Sequence, residues 1–206
     1  MSSTLSQILK DIPQSDFVFS DLDGTLVDSE TFRIQTYYDS LQELGYSFRS
    51  LPPSSLVGNH PTVNLKLICP SLSTEQIYSI LEYRNAKLSN FVSGSINLVP
   101  NIYSTLRKHF RHIIIVTNST YKYAEAIVNQ FQLNIFSIVC CETFKGSQPK
   151  PSPSLYSYSF NKFLSSSHPR IVLEDSPSGL EAASQAGCDH IISISSNGLA
   201  SVFSPR

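Results

Sequence analysis

Between Phe17 and Thr25 an apolar run, Phe17-Val18-Phe19, breaks without transition into Ser20-Asp21-Leu22-Asp23-Gly24-Thr25. Aromatic and β-branched residues favour a strand, so the two acids sit at a strand's carboxyl end. In open parallel sheets that end is where ligands bind. The pattern recurs. Ile113-Ile114-Ile115-Val116 ends in Thr117-Asn118, and Ile171-Val172-Leu173 ends in Glu174-Asp175. Helical periodicities lie between these runs, over residues 100–110, 121–131, 152–163 and 179–186, with further strand-like runs at 135–140 and 190–194. The last of these is expected to be the final strand. Strands alternating with helices imply a parallel sheet with right-handed crossovers. Their nearly uniform apolar character implies a sheet covered on both faces. The fold class expected is therefore α/β.

The stretch between Leu26 and Val99 reads differently, with no convincing strand. Ile34, Tyr37, Tyr38, Leu41 and Leu44 recur at helical spacing before Gly45, which reads as a helix and its stop. A turn-rich segment over residues 50–61 follows. Ile77, Ile80, Leu81, Leu88 and Phe91 mark another helix, opened by a capping box at Ser73/Thr74. This is an all-helical insertion over residues 30–97, which leaves residues 1–29 and 98–206 to the α/β core. Ahead of the first strand, Leu5, Ile8, Leu9 and Ile12 form a short amphipathic helix expected to dock on that core.

The chain has 206 residues, 41% of them hydrophobic and 15% charged, with a formal net charge of -1. That is a globular composition with an ample core. It gives no electrostatic case for nucleic acid or an anionic membrane as partner. Cys69, Cys140, Cys141 and Cys188 show no CxxC spacing and read as structural thiols in a reducing compartment. No secretory signal opens the chain, and no apolar run approaches the roughly 18 residues of a transmembrane helix. A cytoplasmic monomer is expected.

The three polar strand ends should converge on one sheet edge. Four carboxylates brought together there cannot all stay ionised without a cation, because like charges raise one another's pKa. An all-oxygen donor set suits Mg²⁺. No His or Cys is placed to suggest zinc.

These segments carry a resemblance. The run from Phe19 to Ser29, FSDLDGTLVDS, resembles the first motif of the haloacid dehalogenase superfamily, hhhDxDGT. Thr117 after its strand resembles the second motif, Lys150-Pro151-Ser152-Pro153 the third, and Glu174-Asp175-Ser176-Pro177-Ser178-Gly179 the fourth. The helical insertion is similar to the cap domain of the phosphoglycolate phosphatase and β-phosphoglucomutase branch. The resemblance implies a Rossmann-like three-layer core with an inserted cap. It implies Asp21 as nucleophile on phosphorus and Asp23 as acid-base residue. Thr117, Asn118 and Lys150 would bind the phosphoryl group, and Asp21, Asp23, Glu174 and Asp175 would form the Mg²⁺ site. The substrate would be a small phosphorylated metabolite. Hydrolysis leads, with a sugar phosphate mutase as the alternative and an idle interaction protein of the same fold behind both.

Some positions have rivals or depart from the pattern. Lys145 competes with Lys150, although the Pro151/Pro153 context favours the latter. Asn59 and His60 lie in a cap loop expected to face the site and govern specificity. Twelve residues past Asp21, where the β-phosphoglucomutase branch carries a histidine, stands Arg33. A permanent cation cannot shuttle a proton at neutral pH. The expectation is that Asp23 is left free to activate water, unless Arg33 merely sits on the cap helix's solvated face. Ser154 replaces the acid usual after the second proline of motif three, and Pro177 enters motif four. Val99-Pro100-Asn101 stands where Pro-Gly is usual, and the final helix is expected to be short or missing.

Overall fold

A computed structural model describes residues 3–91 and 96–203. Its centre is a seven-stranded sheet in the order β1-β9-β8-β7-β2-β5-β6. The strands are β1 (Ser3–Thr4), β2 (Phe17–Ser20), β5 (His112–Val116), β6 (Ser137–Val139), β7 (Ile171–Glu174), β8 (His190–Ile194) and β9 (Leu199–Phe203). Strands β6, β5, β2, β7 and β8 run parallel; at one edge β9 pairs antiparallel with β8, and β1 pairs antiparallel with β9. Helices cover both faces, which is why Ile113–Val116 and Ile171–Leu173 can be apolar throughout. One face packs under α1 (Leu5–Ile8), α5 (Ile102–His109) and α6 (Tyr121–Gln130), the other under α7 (Ser154–Phe163) and α8 (Pro177–Gln185).

Register places the site. Ser20 pairs with Ile115 on one side and with Leu173 on the other. The residues that follow each strand therefore emerge side by side at the centre of the carboxyl edge.

Three α-helices lie within residues 30–91: α2 (Glu30–Glu43), α3 (Pro61–Ile68) and α4 (Thr74–Phe91). They pack around their own apolar cluster, in which Tyr37, Leu41, Leu56, Leu65, Ile68 and Ile80 are fully buried. Gly45 ends α2 at a φ of 75°, as a helix stop requires. Ser73 accepts from the Gln76 amide while the Gln76 side chain accepts from the Ser73 amide, so the capping box pairs these two residues. The side chains of Leu88 and Phe91 lie outside the described residues.

Four expectations are corrected. The stretch between Leu26 and Val99 does contain strands. β3 (Val27–Asp28) pairs antiparallel with β4 (Asn97–Leu98), clamping the helical segment's entry to its exit. Two-residue strands carry no periodicity that a sequence can show. Helix α3 is also additional; His60 caps it and Pro61 starts it. The run at 190–194 is not the last strand, because Gly198, at φ 78°, turns the chain back into β9. The amphipathic N-terminal segment is helical only over Leu5–Ile8, since Ser3 and Thr4 pair with β9. Asn101, in the place where Pro-Gly is usual, takes a φ of 63°. Asparagine tolerates that left-handed conformation better than most residues, so the turn survives. No helix among the described residues is long and apolar enough to cross a membrane.

Candidate active site

Asp21 follows β2 directly, its amide donating to Leu173 O at 2.9 Å. The chain then turns at Gly24, whose φ is 85° and whose amide donates to Val27 O. A Cβ on Gly24 would lie 2.1 Å from Asp175 Oδ2. Glycine is thus required twice there, for the backbone angle and for the space that Asp175 occupies. Thr25 Oγ1 donates to Asp175 Oδ1 at 2.8 Å. In the fourth motif, Ser176 caps α8 by accepting from the Gly179 amide, and Pro177 takes the first helical position, where its missing N–H costs nothing. A Cβ on Gly179 would strike the Glu174 carboxylate, 2.0 Å from Oε2.

The Lys150 ammonium, almost wholly buried, donates to Asp21 Oδ1 at 2.8 Å, to Val116 O at 2.6 Å and to Glu174 Oε1. Lys145 is exposed. Tyr156 also donates to Glu174 Oε1, at 2.6 Å. Asp21, Glu174 and Asp175 each bring a carboxylate oxygen into one group, all within 4.8 Å of one another. Burial pulls the Lys150 ammonium down, but the two carboxylates outweigh it and hold it above its ordinary value. One cation cannot neutralise three acids, however. Burial, aided by the neighbouring carboxylates and opposed by Lys150, pushes Asp21 up to about 7. Burial, then Asp21 and Glu174, pushes Asp175 up to about 9. A largely buried all-oxygen trio with surplus negative charge fits a hard divalent cation such as Mg²⁺.

The sign of these shifts yields a test. Both carboxyls titrate above the unfolded value of 3.8. Their contribution is fully present below about pH 4 and is lost as pH climbs through about 7 and then about 9 in metal-free protein. Millimolar Mg²⁺ is therefore expected to raise the melting temperature by several degrees at pH 8 and hardly at all at pH 5, measured against EDTA. Equal shifts at both pH values would contradict the trio as a cation site.

Asp23 does not join that trio, contrary to the expected metal set. Both its oxygens are taken. Oδ1 accepts from Tyr123 OH at 2.9 Å and from Ser29 Oγ; Oδ2 accepts from Arg33 Nη1 at 2.9 Å and Ser119 Oγ at 2.6 Å. Burial raises its pKa, but Arg33 and these donors prevail and hold it below the ordinary value. Arg33 is thus neither on a solvated face nor absent from Asp23's surroundings. It is about 3% exposed, and its guanidinium restrains the carboxylate that was expected to be free.

Thr117 stands at the end of β5, its amide bound to Val139 O and its hydroxyl accepting from the Ser119 amide at 3.0 Å. Asn118 lines the cavity but spends its amide on the scaffold. Oδ1 accepts from the Lys150 amide at 2.7 Å, while Nδ2 donates to Lys150 O at 3.1 Å and Gly58 O at 2.9 Å. The loop residue that reaches the site is Gly58, whose carbonyl also accepts from Ser178 Oγ at 3.1 Å. Asn59 and His60, expected there, do not line the cavity. Asn59 bonds Ser55 O and Asn64 Oδ1, and His60 Nδ1 turns to Thr62 as a helix cap. Burial, reinforced by the charge of Arg33, lowers His60 to about 4, so it is neutral at physiological pH. The walls are Asp21, Asp23, Glu30, Arg33, Gly58, Thr117, Asn118, Lys150 and Ser176, enclosing about 10 Å³. That is room for about one water.

Two residues to which sequence reasoning assigns no role, Ser119 and Tyr123, join Ser29, which reads as a hinge residue, on Asp23. Ser119 and Tyr123 stand four apart, flanking the start of α6, and nothing in the residue pattern marks them as partners of an acid a hundred residues away.

Residues 18–193 match the haloacid dehalogenase-like hydrolase family. The chain belongs to that family. It is 26% identical to the phosphoglycolate phosphatase of Aliivibrio fischeri, covering 82% of this chain and 79% of that one. Among solved structures it resembles CbbY of Rhodobacter sphaeroides in complex with phosphate, with a TM-score of 0.72, 18% identity, and 87% and 86% of the two chains covered. It also resembles a family IA, variant 3 hydrolase of Entamoeba histolytica, with a TM-score of 0.69, 22% identity, and coverage of 88% and 85%.

Proposed function

We propose that this chain is a Mg²⁺-dependent phosphatase that hydrolyses a small phosphorylated metabolite through an aspartyl-phosphate on Asp21. The observation that carries this reading is the placement of Lys150 Nζ between Asp21 and Glu174, beside Asp175, at aligned strand ends. The match to the phosphoglycolate phosphatase of A. fischeri supports the reaction class. Residues 1–29 and 98–206 would form the core and residues 30–97 a cap. Four free thiols support a cytoplasmic address, and a monomer suffices because the described residues supply every group the chemistry uses.

In the first half-reaction an Asp21 oxygen bonds phosphorus, the ester P–O bond breaks, and the departing oxygen takes a proton that Asp23 carries once the opening segment has drawn Arg33 away from it. In the second, water attacks phosphorus, Asp23 takes its proton, and the bond to Asp21 breaks to release phosphate. Splitting one displacement into two in this way is covalent catalysis. The ligand set for Mg²⁺ would be Asp21, Glu174 and Asp175, and the bound cation would supply charge neutralisation between the carboxylate and the phosphoryl group. Lys150 and Thr117 would hold phosphoryl oxygens, where charge must be balanced during transfer. The closed cavity requires the helical segment to swing away before a substrate enters. The contacts to be broken include those at Gly58 O, those of Arg33 with Asp23 and Ser119, and that of Thr120 with Asn85.

Phosphate release from a panel of phosphorylated metabolites with Mg²⁺, against the same panel with EDTA, tests the reading. Turnover is expected only with the cation; no release from any ester would overturn it. A specific observation favours a second reading, a sugar phosphate mutase. The ground for preferring hydrolysis was a free Asp23, and Arg33 with three hydroxyls holds it anionic instead. With glucose 1-phosphates and a trace of bisphosphate, 6-phosphate formed many times faster than free phosphate would establish the mutase.

A further inference from the structure

Arg33 uses only Nη1, which serves both Asp23 Oδ2 and Ser119 Oγ. Its Nε and Nη2 are buried without a hydrogen-bond partner. These two N–H groups form the side-on fork of a guanidinium, the geometry that grips an oxygen. The nearest anion is Glu30, with Oε1 3.8 Å from Nε, too far for a hydrogen bond. Glu30 Oε2 is likewise buried and unpartnered. Three orphaned polar atoms thus lie on two neighbouring side chains, and both residues line the cavity that holds Asp21 and Asp23. Leaving such groups unmade in the interior is costly, so the arrangement calls for a ligand.

Charge decides which ligand. The Arg33 cation already faces two carboxylates, Asp23 and Glu30, and Lys150 is committed to Asp21 and Glu174. Neither cation that lines the cavity is left uncompensated to receive a second anion, and the buried Arg84 behind it turns to Thr36 Oγ1 and Arg33 O. Burial raises the pKa of Glu30, opposed by Arg33; in its ionised form it only accepts, and Arg33 only donates. A group that satisfies both must accept and donate at once, which is what a hydroxyl does. A carboxylate would meet Glu30 as a like charge. Glu30 and Arg33 stand one turn apart on α2, so their spacing persists when the helical segment opens.

We infer that Glu30 and Arg33 form a leaving-group subsite that selects a neutral, hydroxyl-bearing phosphate monoester, a polyol or sugar phosphate, over a phosphorylated carboxylic acid. This rests on the phosphatase reading and deepens it. The test is a set of matched esters: hydroxyethyl phosphate, ethyl phosphate and phosphoglycolate, with glycerol 3-phosphate against propyl phosphate, and p-nitrophenyl phosphate to report phosphate-ester cleavage as such. Hydroxylated esters are expected to exceed both their deoxy and their carboxylate counterparts by at least about tenfold in kcat/KM, the scale of one hydrogen bond to a charged group. Glu30→Gln keeps the shape and removes the charge, and is expected to shrink the penalty on phosphoglycolate. Phosphoglycolate matching or beating hydroxyethyl phosphate, or a preference unmoved by Glu30→Gln, would overturn the subsite while leaving the phosphatase intact. Silence on every ester, p-nitrophenyl phosphate included, would overturn both.

Discussion

Asp21→Asn is expected to abolish turnover while the melting temperature stays close to wild type or rises slightly at pH 8 without metal. The amide fills the same space at the end of β2 but cannot attack phosphorus. Activity depends on one atom, and stability does not. The native carboxylate is costly in this setting, since burial and its acidic neighbours push it up to about 7. Lys150 keeps Glu174 and Val116 O as partners when Asp21 is neutralised. Active sites commonly pay for function in stability in this way. Retention of more than about one per cent of kcat, against a loss of many powers of ten, would contradict the covalent route. A collapsed melting temperature would show that Asp21 is structural.

Lys150→Ala is expected to be damaging in both respects. Removing it leaves Asp21 and Glu174 facing each other in the interior with no cation between them. Breaking a buried ion pair from one side costs about 3–5 kcal/mol, and losing a charge-stabilising donor costs at least about 10²-fold in kcat. Mg²⁺ should restore part of the stability and little of the rate, because it balances the carboxylates without replacing the ammonium beside phosphorus. Lys145→Ala, at an exposed position, should leave both unchanged. Thermal melts and initial rates on the two variants check this, and the reverse pattern would mean that the motif is anchored by the other lysine.

Much of this arrangement was legible in the residues. Apolar runs ending abruptly in Asp21, Thr117 and Glu174 announced both the parallel sheet and the edge at which the chemistry collects, because strand ends in register need no further information to converge. Lys150 was legible from its prolines. The environment of Asp23 was not. Its four donors come from β3's end, α2, the turn after β5 and α6, and such a convergence is a property of packing that no local pattern carries. Arg33 shows the difference most clearly. Its position twelve residues past Asp21 stands out in the chain, but a charged residue on a helix is usually solvated, and only the packing of α2 against Asp23 and Ser119 buries it. Asn59 and His60 failed for the opposite reason. Loop polarity suggested a site, while the side chains serve the first turn of α3, and the loop meets the core through the Gly58 carbonyl instead.

The most direct measurement is acid-quenched single turnover with p-nitrophenyl phosphate and Mg²⁺, followed by mass spectrometry of the digested protein. A phosphoryl adduct on the peptide that carries Asp21, formed before free phosphate appears and absent from Asp21→Asn, is the predicted result. Phosphate released at the full rate with Asp21 never labelled, and equally by Asp21→Asn, would contradict it.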